Sequence, residues 1–99
     1  MMLRTWTARA TPDGVAAYRR YFEVVLLPLL RQRPGFEGGC LVAEEHGLST
    51  LTFWASLDAI RDFAGDDYTT AVVEPEAQAV LTDFDRTVSH REVLVDARP

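Results

Sequence analysis

The sequence has no lysine, one cysteine and no long apolar run, and each shortage excludes something. All ten basic residues are arginines, scattered from Arg4 to Arg98, and they face fifteen acidic residues for a formal charge of −5. A groove for nucleic acid needs clustered positive charge, so no nucleic-acid partner is expected. The missing lysine is read as compositional, because the two cations differ in consequence only at special sites. Cys40 alone cannot form an internal disulfide and fits a reducing compartment. No apolar signal segment follows Met1-Met2-Leu3-Arg4. The longest uncharged apolar run, Val24 to Leu30, is seven residues with Pro28 inside it, far short of the ~20 that span a bilayer. A cytoplasmic protein without a membrane partner is the expectation.

Chemical motifs are also absent. There is no HExxH, P-loop or GxGxxG, and Gly35, Gly38 and Gly39 lead into a strand rather than from a strand into a helix. Cys40, His46 and His90 are the only soft metal ligands, none at zinc-site spacing, so no metal is expected. Cys40 reads as a buried mid-strand residue and His46, before Gly47, as a turn residue.

What remains is the pattern of one domain, residues 1–99. Met2 to Arg9 reads as a strand with Arg4, Trp6 and Ala8 on one face. Thr11-Pro12-Asp13 opens a helix, along which Val15, Tyr18, Phe22, Val25 and Leu29 form an apolar stripe until Pro28 kinks or breaks it. Phe36 to Glu45 and Ser49 to Ala55 form a hairpin about His46-Gly47, with a bulge or close approach at Gly38-Gly39. Ser56 and Gly65 bracket a second helix, Leu57 to Ala64. A helical turn over Tyr68 to Val73, a short helix from Pro75 to Leu81, a loop through Asp83-Phe84-Asp85 and a last strand from Val88 to Val95 complete the reading.

This order is α+β and ferredoxin-like, βαββαβ, with a four-stranded antiparallel sheet and helices on one face. A chain this short buries only about 60 to 70% of its unfolded surface. Adjacent Phe53 and Trp54 must point to opposite faces, and Val93-Leu94-Val95 offers apolar side chains to both. Packing sheet to sheet in a homodimer would cover the second face.

The features Arg4-Thr5-Trp6, Leu27-Pro28, Pro34-Gly35-Phe36, Phe53 to Ile60, Phe63-Ala64-Gly65, Asp67-Tyr68, Pro75-Glu76-Ala77, Phe84-Asp85 and Ser89 to Val93 recur in one order over nearly the whole chain. In that order and spacing the chain resembles the antibiotic-biosynthesis-monooxygenase-like family of the dimeric α/β barrel superfamily. The resemblance implies a homodimer, with an apolar pocket between sheet and helices in each subunit. It also implies either oxygenation of an aromatic or polycyclic molecule without a cofactor, or haem degradation. Haem-degrading relatives use an Asn on the first strand, a Trp on the second helix and a His after it; here the first strand has no Asn, Phe63 stands at the comparable helix position, and residues 68–73 contain no His, so haem degradation is not the expectation, although Tyr68 is of a type that can ligate haem.

Cofactor-free oxygenation asks for a base, anion-stabilising donors and flat apolar walls. His90 is the candidate base, Tyr68 and Arg4 the orienting or anion-stabilising groups, and Trp6, Trp54, Phe22 and Phe63 the substrate-binding walls. Each has a plainer reading: His90 as a strand residue hydrogen-bonded at the dimer contact or the pocket rim, Arg4 as a surface or intersubunit ion pair, Tyr68 as an exposed residue, the other aromatics as core or interface. A non-catalytic, ligand-binding or stress-related dimer of the same fold is the alternative function.

Overall fold

β1 (Met2–Arg9) organises the sheet, and the computed structural model describes it together with all of residues 1–99. Its alternation is as expected: Arg4, Trp6 and Ala8 are buried on one face, while Leu3, Thr5 and Thr7 face the other way and are half-buried. β1 pairs antiparallel with β3 (Gly47–Trp54), which pairs in turn with β2 (Phe36–Glu44). On its other side β1 meets two short strands, β4 (Asp83–Phe84) and β5 (Ser89–Glu92). The sheet order is therefore β2-β3-β1, with β4 and β5 sharing the fourth position. The expected bulge occurs between Phe36 and Gly38, where Gly38 has φ +136°.

Thr11 caps the first helix by accepting from the Gly14 amide at 3.1 Å, with Pro12 in the first turn and Asp13 near the positive end of the dipole. The helix does not break at Pro28. α1 (Pro12–Tyr21) passes into a π-helical turn (Phe22–Leu26), in which the Leu27 amide reaches back to the Phe22 carbonyl, and then into α2 (Leu27–Arg31). Proline has no amide to donate and crowds the carbonyl four residues before it, and the wider turn absorbs both defects. The extra residue also moves the buried face. Tyr18 and Phe22 are buried as expected, but past the turn it is Leu30 that is buried, while Leu29 is 55% exposed.

Four further expectations are corrected. Tyr68 to Val73 forms a turn and then extended chain with one bridge between Thr70 and Thr87, not a helical turn. Its β-branched residues disfavour helix; the Thr69 and Thr70 hydroxyls donate to the Asp67 carboxylate, and Arg4 takes two of its carbonyls. Asp83-Phe84 is a strand rather than loop, and the helix before it is only α4 (Pro75–Gln78). The last strand ends at Glu92 because its partner β1 begins there, Met2 opposite Glu92. Val93-Leu94-Val95 therefore offers nothing to either sheet face, and Leu94 and Val95 are largely exposed.

α3 (Leu57–Ala64) follows its signals, with the Ser56 hydroxyl accepting from the Ala59 amide at 3.1 Å and Gly65 closing the end at φ +88°. Helices cover one face of the sheet. Beneath them lie two buried clusters, one around Trp6, Tyr18, Phe22 and Leu48, the other around Leu30, Trp54 and Ile60. The uncovered face carries Leu3, Cys40, Val42, Leu51 and Phe53, placed together by the pairing register, so Cys40 is exposed within the single chain and not buried as expected, and the Arg98 guanidinium lies 3.7 Å from the Phe53 ring centre. No helix is long and apolar enough to cross a membrane.

Candidate active-site cleft

The two buried clusters do not fuse, and between them the sheet and the long helix enclose a cleft of about 900 Å³. Its floor comes from alternate residues of paired strands: Arg4 opposite Thr52 and Trp6 opposite Thr50, with Trp54 beside them. The helical wall is Tyr18, Phe22, Leu26 and Leu30, and residues 72–77 close the remaining side. A cavity of this size and apolar lining suits a medium-sized organic ligand.

Arg4 is the one charged residue buried in the structure, at 6% exposure. Its Nη1 donates to the Tyr68 carbonyl at 2.6 Å and to His90 Nε2 at 2.9 Å, and its Nη2 donates to the Thr70 carbonyl at 3.3 Å. All three acceptors are neutral, and no carboxylate lies within ion-pair distance. Burial pulls its pKa down from 12.5 to about 10, so at neutral pH it remains a cation. A guanidinium carries five N–H donors in a fixed fork, and part of this fork is left over at the cleft surface. Within the chain, then, Arg4 forms no ion pair.

Aromatic rings surround this charge. Phe63 stacks on Trp54 at 5.2 Å between ring centres, with Phe36 packed edge-on to Trp54 at 5.3 Å. The guanidinium carbons of Arg4 and Arg33 lie 5.8 and 5.7 Å from the Phe63 ring centre, within cation–π range. The indole nitrogens are spoken for: Trp6 donates to the Asp85 carbonyl at 2.8 Å and Trp54 to Thr52 Oγ1 at 2.9 Å. Trp6 therefore offers the cleft only flat apolar surface, while Trp54 is fully buried and backs the wall through Phe63 and Phe36.

Of the residues singled out from the sequence, Arg4, Trp6, Phe22, Trp54 and Phe63 all meet in the cleft lining, while His90 and Tyr68 stand behind Arg4, outside it. Arginine can only donate, so His90 Nε2 must accept, leaving the ring proton on Nδ1. Burial, and then the charge of Arg4, push the His90 pKa below its usual value. This imidazole is a neutral prop for Arg4, with its lone pair occupied. Tyr68 contributes its main-chain carbonyl, and its ring packs edge-on against His90 at 5.5 Å.

Sequence reasoning missed Tyr18, Tyr21, Arg33, Glu74 and Glu76, all of which line the cleft. The last four lie on helix ends and loops whose direction no local pattern gives. Tyr18 carried a signal that was readable: a phenol on an apolar stripe must find a partner or a cavity for its hydroxyl. No three His, Cys, Asp or Glu side chains converge to hold a metal ion.

Against solved structures, a candidate antibiotic biosynthesis monooxygenase from Deinococcus radiodurans superposes with a TM-score of 0.64 at 16% identity, over 100% of this chain and 98% of that one. The chain has the antibiotic biosynthesis monooxygenase fold. A monooxygenase of Streptomyces coelicolor, ActVA-Orf6 in complex with nanaomycin D, gives 0.61 at 16% identity over 97% and 92% of the two chains. The haem degrader MhuD from Mycobacterium tuberculosis, with two haems bound in its active site, gives 0.63 at 20% identity over 99% and 100%. No family model and no curated protein matches the sequence. In the monooxygenase fold of this chain, the space between sheet and helices is the cleft described above.

Proposed function

We propose that this chain is a cofactor-independent monooxygenase that oxidises an ionisable aromatic molecule, a phenol or anthrone, in the cleft between sheet and helices. The observation that carries the reading is Arg4: a buried cation with only neutral partners at the edge of an aromatic-walled cavity. Such a charge is stabilised by an incoming anion, and it favours the phenolate or enolate form of a ligand over the neutral form. The ligand then needs no imidazole base in the cleft, since its proton can leave to water.

An electron-rich enolate reduces oxygen directly. One electron passes to O₂, the ligand radical and superoxide join to form a carbon–oxygen bond, and protonation gives a hydroperoxide. Loss of water leaves a carbonyl, so a CH₂ carbon has gained one oxygen atom, and the other oxygen has left with both hydrogens as water. Arg4 steadies the negative charge at the first and second steps, and Trp6, Phe22 and Phe63, the last stacked on the buried Trp54, hold the ring plane.

We also propose that the working form is a homodimer, packed through the uncovered sheet face. Leu3, Leu51, Phe53 and Val42 lie on that face, and so does Thr5, whose hydroxyl is enclosed with no hydrogen-bond partner. The proposed compartment is the cytoplasm, from the lone Cys40.

The test is oxygen uptake by protein stripped of metal and flavin, offered a panel of anthrones and hydroquinones. The reading expects one O₂ consumed per carbonyl formed, without peroxide release; no uptake above the uncatalysed rate with any member would overturn it. The occupied lone pair of His90 favours a second reading, a non-catalytic ligand-binding dimer. That reading expects tight binding of the same panel without turnover.

A further inference from the structure

Among the polar groups that line the cleft besides Arg4, Tyr18 belongs to the cluster around Trp6 and Phe22, whereas Arg4 lies against Phe63 of the other cluster, so the two mark different ends of the cleft. Tyr18 is 3% exposed and lines the cleft from the helix side, and its ring sits 5.9 Å from that of Trp6. Its hydroxyl makes no hydrogen bond within the chain, yet it is not sealed in, since Thr5 Oγ1 is the only fully enclosed side-chain oxygen or nitrogen without a partner. The little surface that Tyr18 keeps is therefore cleft surface. Burial, followed by the neighbouring Tyr21, pushes its pKa well above the usual phenol value. A phenol that cannot ionise is available as a hydrogen-bond donor.

The surroundings of the two ends differ in sign. Arg4 and Arg33 flank Phe63 at one end. At the other, Tyr21 packs beside Tyr18, and Glu74 and Glu76 lie near Tyr21, where burial and then these two carboxylates hold the Tyr21 pKa up. An anionic ligand group is thus attracted to the first end and repelled from the second. A neutral acceptor oxygen meets no penalty at Tyr18 and satisfies a donor that otherwise has only water.

We infer that Tyr18 is a specificity-determining anchor that donates a hydrogen bond to a neutral carbonyl-type oxygen of the ligand, while the charge difference between the two ends directs the ligand's anionic group to Arg4. The ligand class is a flat aromatic molecule with an ionised oxygen at one end and an uncharged acceptor toward the other. Its entry is one-way, because the reverse orientation puts the anion beside Glu74 and Glu76. This rests on the proposal that the cleft binds an aromatic anion, but not on that ligand being oxidised.

The test uses three tricyclic probes: fluorenone carboxylate, fluorene carboxylate, which has CH₂ where the first has C=O, and uncharged fluorenone. Binding is read by calorimetry and by quenching of the tryptophans. Wild-type protein should bind fluorenone carboxylate about three- to tenfold more tightly than fluorene carboxylate, the worth of one neutral hydrogen bond. Tyr18→Phe should erase that preference and leave fluorene carboxylate binding unchanged. If Tyr18→Phe keeps the preference, or weakens both acids equally, the Tyr18 anchor is overturned while the cleft reading stands. Should uncharged fluorenone bind as well as its carboxylate, or neither acid bind at all, the cleft reading itself fails. The comparison of probes on wild-type protein decides the matter even if Tyr18→Phe does not fold.

Discussion

If Arg4 is there to hold an anion, it should change the acidity of whatever phenol sits beside it, and this can be measured without any turnover. A unit charge ~4 Å from a ligand oxyanion is worth about 4 kcal/mol at an effective dielectric constant of about 20. The oxyanion loses water on entering the cleft, and if that cancels about half, roughly 2 kcal/mol remains. At about 1.36 kcal/mol per pH unit, the bound phenol should titrate about 1 to 2 pH units below the free one. A hydroxycoumarin, whose absorbance separates phenol from phenolate, reports this in a simple titration. Arg4→Met keeps a similar length and removes the charge, and the bound dye should then titrate at or above the pH of free dye, because only desolvation is left. The substitution strands the Tyr68 and Thr70 carbonyls, at roughly 1–3 kcal/mol each, and relieves the buried charge, so a thermal melt must first show that the variant is folded. The reasoning is refuted if wild-type protein and folded Arg4→Met shift the dye equally.

Three other outcomes are expected. The His90 pKa lies below its usual value, so the unfolded chain takes up a proton before the folded one does. Stability is therefore held above about pH 6.5 and falls as pH drops through the usual histidine range toward the lowered value, and urea melts at several pH values should show this slope in wild type and a flatter one in His90→Phe. Tyr68→Phe should change ligand affinity and any oxygen uptake by less than about twofold, since Tyr68 holds Arg4 with its main chain, and a hydroxyl with no partner is cheap to lose. Wild-type protein should run at about 22 kDa in light scattering, twice the 11.1 kDa of one chain, and Leu51→Asp should run as a monomer, because a charge facing an apolar sheet contact is left unpaired.

The parts of this molecule that could be read from sequence are those with local causes. Thr11 and Ser56 cap their helices, Gly65 ends one, paired glycines make a bulge, and β1 alternates, all through contacts within a few residues. The parts that could not be read answer to distant partners. Tyr68 to Val73 is a turn followed by extended chain, held by Arg4, more than sixty residues earlier, which takes the Tyr68 and Thr70 carbonyls. The final strand stops where β1 stops, not where Val93-Leu94-Val95 runs out. The site divides in the same way: Arg4 and four aromatic residues could be picked out by type and do converge, whereas the pairing of His90 with Arg4 is a cross-strand fact that residue type cannot give. Tyr18 was legible only as an apolar stripe residue, and its unpartnered hydroxyl became visible once the cavity was.

The π-helical turn at Phe22–Leu26 has a consequence for how this cleft can change over generations of sequence. An α-helix advances about 100° per residue, and the wider turn takes up one surplus residue: the α-helical period from Tyr18 would bury Leu29, but it is Leu30 that is buried while Leu29 is 55% exposed. The turn works as an expansion joint in the cleft wall. Losing one residue there would let it close to an α-helix and bring Leu30 onto the α-helical period, so the same side chains of α2 would still face the ligand. A lineage could lose that codon and keep the wall and the sheet floor of the cavity as they are.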